Sequence, residues 1–259
     1  MTVATRPPAD TGDDSVVLSQ TVRTQLRLRE LIVGGELKSG TRIAELALVE
    51  RLGASRTPIR MALVRLQEEG LLEALPNGGF VVKDFSESDI HDAIEVRGTL
   101  EGLAARMAAE RGVGSVLLAE ARDCLARIDD LLAQPELSEE SFSGYVEQNG
   151  RFHALLAEMA GSDLVARQIE RAAMLPFASP NGFVMAQSTG PRARDTLVVA
   201  QQQHRSVLDA IVRREGARAE ALVREHARIA HANLRDALQN HQTLQLVPGA
   251  SLIRRRTTR

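Results

Sequence analysis

The sequence predicts a mainly α protein, with an N-terminal winged helix-turn-helix followed by an all-α bundle of six or seven helices. Three observations carry this. A helix–glycine–helix run followed by a strand–turn–strand occupies residues 43–82. From residue 86 to about 240 the apolar spacing is helical and breaks only at glycines and prolines, with no convincing strand. The composition agrees: 44% of residues are hydrophobic, 3% are aromatic, Trp is absent, and Ala, Leu, Arg and Glu abound, as in helical proteins.

Residues 1–14 (MTVATRPPADTGDD) are polar, proline-bearing and without periodicity, so disorder is expected there. A first helix is expected over 19–33, packing through Val22, Leu26, Ile32 and Val33 and stopped by Gly34 and Gly35. Ile43–Leu52 reads as a short helix, and Gly53 with Ala54 makes a tight joint to a second one. In that second helix Ser55 takes the N-cap and Pro58 falls in the first turn, where a missing N–H is tolerated. Ile59, Leu63 and Leu66 form its buried side, and Gly70 ends it. Arg56, Thr57, Arg60 and Met61 lie on other faces, with the two arginines projecting side by side from the first turns. Two arginines on a helix are usually a solvated face. A guanidinium pair on the second helix of a helix-turn-helix also suits phosphate or guanine. Leu71–Val82 reads as strand, turn, strand, with Pro76, Asn77, Gly78 and Gly79 at the tip, which makes a wing.

The segments Gly40-Thr-Arg-Ile-Ala-Glu45, Ser55-Arg-Thr-Pro-Ile-Arg60, Ala62-Leu-Val-Arg-Leu66, Glu69-Gly-Leu-Leu72 and Gly79-Phe-Val-Val82 resemble the DNA-binding domain of GntR-superfamily transcription regulators. The resemblance covers most of residues 19–83. It implies double-stranded operator DNA as partner, a homodimer reading a pseudo-palindrome, and a contact set of Arg42, Ser55, Arg56, Thr57, Arg60, Asn77 and Gly78. The wing tip has no basic residue, so minor-groove contact falls to its backbone or Asn77. Charge is distributed to match. The chain is −2 overall, but residues 15–85 hold ten Lys/Arg against eight Asp/Glu, and residues 86–259 hold 21 against 23. A mildly basic head on an acidic body fits a protein that touches DNA with one end.

Beyond a short linker at Lys83–Ser86, Ser86 and Asp89 form a capping-box start to a long helix. Helices are expected at 87–111, 115–133, 138–160, 162–175, 192–214 and 216–240, with Phe177–Gly190 as the longest internal loop. The domain boundaries are therefore a disordered 1–14, a winged helix over 15–83, a helical domain over 86–240, and a basic tail over 241–259 whose end (LIRRRTTR) reads as solvated. Lone Cys124 excludes an intrachain disulfide and reads as a small buried residue. There is no 18-residue apolar run and no signal-peptide layout, so a cytoplasmic protein with no membrane partner is expected.

Three histidines sit on apolar helix faces: His153 with Phe152 and Leu156, His204 with Val207, Leu208 and Ile211, and His226 with Leu222 and Ile229. His91, His231 and His241 lack such company. One inward histidine is usually a hydrogen-bonded core residue. Three from three helices of one bundle point to a divalent metal such as Zn or Ni, with Asn149, four residues before His153, as a fourth ligand. Arg97 lies on the apolar side of its helix, four residues before Glu101. An internal ion pair explains it, and so does a clamp for an organic acid.

Glu95-Val-Arg-Gly-Thr-Leu-Glu101, Asn149-Gly-Arg-Phe-His153, His204 with Ala210-Ile211, and His226 resemble the FCD effector domain of the FadR-like branch of the same superfamily. The resemblance implies a divalent ion on Asn149, His153, His204 and His226, and a small carboxylate or sugar acid gripped by Arg97. The sequence departs from it at Asn149, where metal-binding members commonly carry Asp, which removes one negative ligand. A ligand-responsive transcription regulator with no enzymatic activity follows. The alternatives are a regulator whose signal is the metal itself, and a metal-dependent enzyme with a DNA-targeting head, which lacks an evident general base.

Overall fold

The structure, a computed structural model, describes residues 11–175, 177–187 and 193–254. The chain divides into two compact units, 1–84 and 85–259.

In the first unit, α1 (Thr11–Val33) packs on α3 (Arg56–Glu68), and α2 (Glu45–Leu52) meets α3 through a turn in which Gly53 takes the left-handed conformation (φ 62°). The buried side of α3 is Pro58, Ile59, Ala62, Leu63 and Leu66, as its spacing predicts. Two readings are corrected in α1. It begins at Thr11, so residues 11–14 are helical. Its inward face is Thr21, Thr24, Leu28, Leu31 and Ile32, whereas Val22 and Leu26 are exposed. A polar contact accounts for the rotation: Gln25 and Arg29 both bond the carboxylate of Glu69, just beyond α3, which turns that side of α1 inward. The wing is β2 (Leu72–Ala74) and β3 (Phe80–Val82), antiparallel. An unexpected strand, β1 (Arg42–Ile43), adds to the free edge of β3 in the order β1-β3-β2.

The second unit is helical: α4 (Glu87–Arg111), α5 (Ser115–Ala133), α6 (Glu139–Met159), α7 (Asp163–Ala172), the short α8 (Val184–Gln187), α9 (Ala193–Val212) and α10 (Gly216–Gln239). The Ser86–Asp89 capping box forms as expected, each side chain serving the other's backbone N–H. The core is built from Ala105, Ala108, Leu125, Ile128, Phe142, Phe152, Leu155, Leu156, Leu208 and Ile211 with their neighbours. The expected solvated tail is corrected. α11 (His241–Gln245) and a 3-10 turn at Ala250–Leu252 lead to Leu252 and Ile253, which are buried. Phe85 N–H donates to Leu252 O (2.8 Å), Arg254 N–H donates to Phe85 O (2.8 Å), and the Phe85 ring meets Phe177 edge-on at 4.7 Å. An apolar pair inside a basic stretch is covered once backbone pairing becomes available. Residues 255–259, with the remaining arginines, lie outside the described residues, as do 1–10.

α4 and α10 form the most extensive helix pair, and Gly98 sets their approach. A Cβ there would stand 2.5 Å from Ala227 Cβ. Gly→Ala inside a helix ordinarily gains up to about 1 kcal/mol, but overpacking a tight contact costs about 1–3 kcal/mol. Gly98→Ala is expected to lower Tm in thermal unfolding by several degrees, at about 2–4 °C per kcal/mol. A raised Tm would mean that the helices are free to separate.

Candidate functional site

In the first unit, Ser55, Arg56, Thr57 and Arg60 are all exposed at the start of α3, and the last three line a groove of about 570 Å³ with Met61, Val64 and Glu45. Ser55 holds the N-cap position, but its hydroxyl makes no capping bond. Among the described ion pairs of this unit, Arg27–Glu30, Arg29–Glu69 and Arg51–Glu36, neither Arg56 nor Arg60 takes part. Asn77 and Gly78 are exposed at the wing tip. Arg42, from β1, donates through Nη2 to Gly78 O at 3.4 Å. The cation missing from the tip's own sequence is thus brought to it by the neighbouring strand, which only the β1–β3 pairing reveals.

In the second unit, α6 carries Asn149 and His153 on one face, α9 carries His204, and α10 carries His226. One ring nitrogen from each of the three histidines falls within 4.8 Å of the others. Each Nδ1 has an oxygen behind it: Glu101 Oε1 for His153 (2.9 Å), Gln201 Oε1 for His204 (3.3 Å) and Gln203 Oε1 for His226 (3.1 Å). For His204 the polarity is forced, because Gln201 Nε2 is occupied by Leu125 O and Asp129 Oδ1, both at 2.8 Å, and its oxygen must then face the ring. With the protons on Nδ1, the Nε2 lone pairs converge. His204 Nε2 and His226 Nε2 are 3.1 Å apart, and buried His153 Nε2 has no hydrogen-bond partner. Two bare imine nitrogens this close would repel, so without a cation between them one of the pair must carry the proton and donate to the other. Ligand nitrogens about 2.0–2.1 Å from a tetrahedral ion stand about 3.3 Å apart, so the trio fits zinc-like ligation oriented by outer oxygens. Phe152 packs against the trio, its ring centroid 4.7 Å from that of His204.

Glu101, read from the sequence only as a partner for Arg97, joins this centre to Arg97. Its Oε2 accepts from Arg97 Nη1 at 2.6 Å while Oε1 meets His153, and both Arg97 and Glu101 are buried, at 2% and 1% exposure. The ion-pair reading of Arg97 is therefore realised. Arg97 Nε is left buried with no hydrogen-bond partner among the described residues. Arg97, Asn149, His153 and His226 line one cavity of about 30 Å³, closed by Tyr145, Pro180 and Phe183. The helical spacing of Arg97 and Glu101 was visible, but Glu101's reach to His153 on another helix was not. Away from this centre, His231 also has company: it is buried and stacks on His91 at 3.6 Å, on the contact of α10 with α4.

Burial pushes His204 well below the ordinary histidine range, and its histidine neighbours add to this. Burial, then His153, brings His226 down to about 3. Burial alone would raise Glu101, but Arg97 and then His153 outweigh it and hold the carboxyl at about 2. The sign is the same for all three. The unfolded chain binds protons that the folded histidines refuse below their ordinary value of 6.5, and Glu101 loses its partners only when it protonates. Metal-free protein is expected to lose stability steadily as pH falls from about 6.5 toward 3, with His204→Phe and His226→Phe flattening the upper part of that slope. Urea titrations at stepped pH check this, and a flat profile would contradict it.

Two family matches cover these units: residues 20–82 match "Bacterial regulatory proteins, gntR family" and residues 92–229 match "FCD domain". A regulator in the TAR-I ttuE-ttuC' intergenic region of Agrobacterium vitis, described as an uncharacterized HTH-type transcriptional regulator, is 33% identical over 51% of this chain and 76% of its own. The Glc operon transcriptional activator of Escherichia coli K12 is 24% identical over 84% of this chain and 90% of its own. Among solved structures, E. coli McbR/YncC shares the fold, with a TM-score of 0.58 and 20% identity over 84% of this chain and 97% of that one. The relatives are transcriptional regulators rather than enzymes. Among the described residues no helix is long and apolar enough to cross a membrane. With a family match over more than half its length, the chain belongs to the gntR family of DNA-binding transcription regulators, in the branch that carries an FCD domain.

Proposed function

We propose that this regulator holds a divalent metal, zinc or nickel, on His153, His204, His226 and Asn149, and that a small carboxylate bound beside it adjusts operator affinity. The observation that carries this reading is the convergence of three imidazoles, those of His153 and His204 buried and that of His226 half-buried, whose outer nitrogens are already engaged. The metal supplies positive charge for an anion. Arg97 supplies the second contact through its buried Nε, while its Nη1 stays with Glu101. A cavity of about 30 Å³ admits about two water-sized bodies. It therefore excludes a sugar acid, and a compact acid of a few carbons enters only if the wall at Pro180–Val184 yields.

The DNA end of the proposal uses exposed Ser55, Arg56, Thr57 and Arg60 in the major groove, with Asn77, Gly78 and Arg42 at the wing. Two copies in a homodimer would read a pseudo-palindrome in the cytoplasm. α4 carries Arg97 and Glu101 and begins at Glu87, directly after the linker. A ligand that favours one position of α4 by about 1–3 kcal/mol would shift operator affinity by roughly 5- to 150-fold. A second reading, in which the metal is itself the signal, draws on the same small cavity, which suits an ion better than an acid.

Thermal unfolding separates the two. With metal bound, the correct acid at a thousandfold excess over its Kd should add about 4 kcal/mol. Arg97→Lys, which keeps a charge for Glu101 but loses the fork, should retain the metal-induced shift and weaken acid binding at least tenfold. A metal shift with no acid response from a panel of two- to six-carbon acids would select the metal-signal reading. No shift with zinc or nickel would overturn both.

A further inference from the structure

The turn at residues 179–183 presents two oxygens to position 149. Asn149 Nδ2 donates to Asn181 Oδ1 at 2.8 Å and faces Pro180 O at 3.5 Å. Pro180 O is a backbone carbonyl and can only accept. The orientation of Asn181 is set in turn by Val146 O, another backbone carbonyl, which takes Asn181 Nδ2 at 2.9 Å and so turns Asn181 Oδ1 toward Asn149. The terminal atom of residue 149 on this side must therefore be a donor. An amide satisfies both oxygens, whereas a carboxylate would set charge against two acceptors in a site where Asn149 is 3% exposed. Gly150 leaves the room this needs, since a Cβ there would press on Asn181 Nδ2 at 3.1 Å.

We infer that Asn181 is a positioning residue of the metal centre: by holding Asn149 Nδ2, it assigns Asn149 Oδ1 to the cavity that residue shares with His153 and His226. The inference rests on the metal reading above. It accounts for the departure from Asp at this position by residues of this chain alone. A neutral amide stands at 149 because the turn demands a donor, and the same turn brings Pro180 and Phe183 into the cavity wall. Ion binding and the position of that wall are then linked through one hydrogen bond.

The test is calorimetric titration of Ni²⁺ alone into full-length, metal-stripped wild type, Asn181→Ala and Asn181→Asp, with the metal-free Tm of each as a check on folding. Asn181→Ala removes the acceptor for Asn149 and is expected to weaken Ni²⁺ binding by about tenfold or more, the usual loss when an outer partner of a ligand is removed. Asn181→Asp keeps an acceptor toward Asn149 but gives up the donor to Val146 O, and is expected to bind within about threefold of wild type or tighter. If Asn181 acts only by tying the turn to α6 through Val146 O, both variants lose that bond and weaken alike, which would overturn the inference. Unchanged affinity in Asn181→Ala would also overturn it. A wild type that takes up no Ni²⁺ would instead remove the metal reading and this assignment with it.

Discussion

Each imidazole of the trio, two buried and the third half-buried, has an oxygen behind its Nδ1, Glu101 for His153, Gln201 for His204 and Gln203 for His226, and with the protons there three nitrogen lone pairs turn toward one space. The arrangement is costly for an apo protein. It buries imidazoles that resist protonation, brings two Nε2 atoms to 3.1 Å, and leaves a third without a partner. A divalent cation held there would offset all three terms at once. The carboxylate behind His153 fixes the orientation of that ring, while Arg97 keeps the carboxylate ionised. Removing Arg97 alone would strand a buried charge, a loss on the order of 3–5 kcal/mol. That is why the ion pair and the histidine trio are best regarded as one electrostatic unit.

That unit spans four helices, and the backbone is shaped to bring them within reach. The Gly98–Ala227 contact draws α4 against α10, which places Arg97 and Glu101 close to His226. Gln201 fastens α9 to α5 through Leu125 O and Asp129, so His204 is anchored from the outside of the bundle inward. The turn at 179–183 closes the remaining side through Asn181, and Phe177, just before it, meets Phe85 in the segment leading to α4. Movement of the cavity wall therefore has a packed route to the residue from which α4 departs. Backbone pairing of Phe85 with Leu252 and Arg254 stiffens that point.

The helices were legible because glycine and proline breaks, caps and apolar spacing all act over a few residues. α4 and α5 fall on 87–111 and 115–133 as read, and the other long helices of the second unit within a few residues. The three histidines and Asn149 were legible for the same reason, since helical spacing alone tells which residues face inward. What escaped were features decided across the fold. α1 rotates because Gln25 and Arg29 reach Glu69 some forty residues away, which outweighs two apolar side chains. Arg42 reaches the wing through strand pairing, Glu101 reaches His153 across two helices, and Asn181 lies in a loop with no periodicity to read. Leu252 and Ile253 looked solvated because their sequence neighbours are basic, yet burial is settled residue by residue.

X-ray absorption at the metal edge of protein loaded with one equivalent of zinc addresses the centre most directly. Predicted is a four-coordinate first shell with three imidazole nitrogens at about 2.0–2.1 Å and one oxygen, losing one imidazole in each of His153→Ala, His204→Ala and His226→Ala. A shell dominated by carboxylate or water oxygens, or one unchanged by these substitutions, would place any bound ion elsewhere and leave the three histidines as an unusually crowded piece of core.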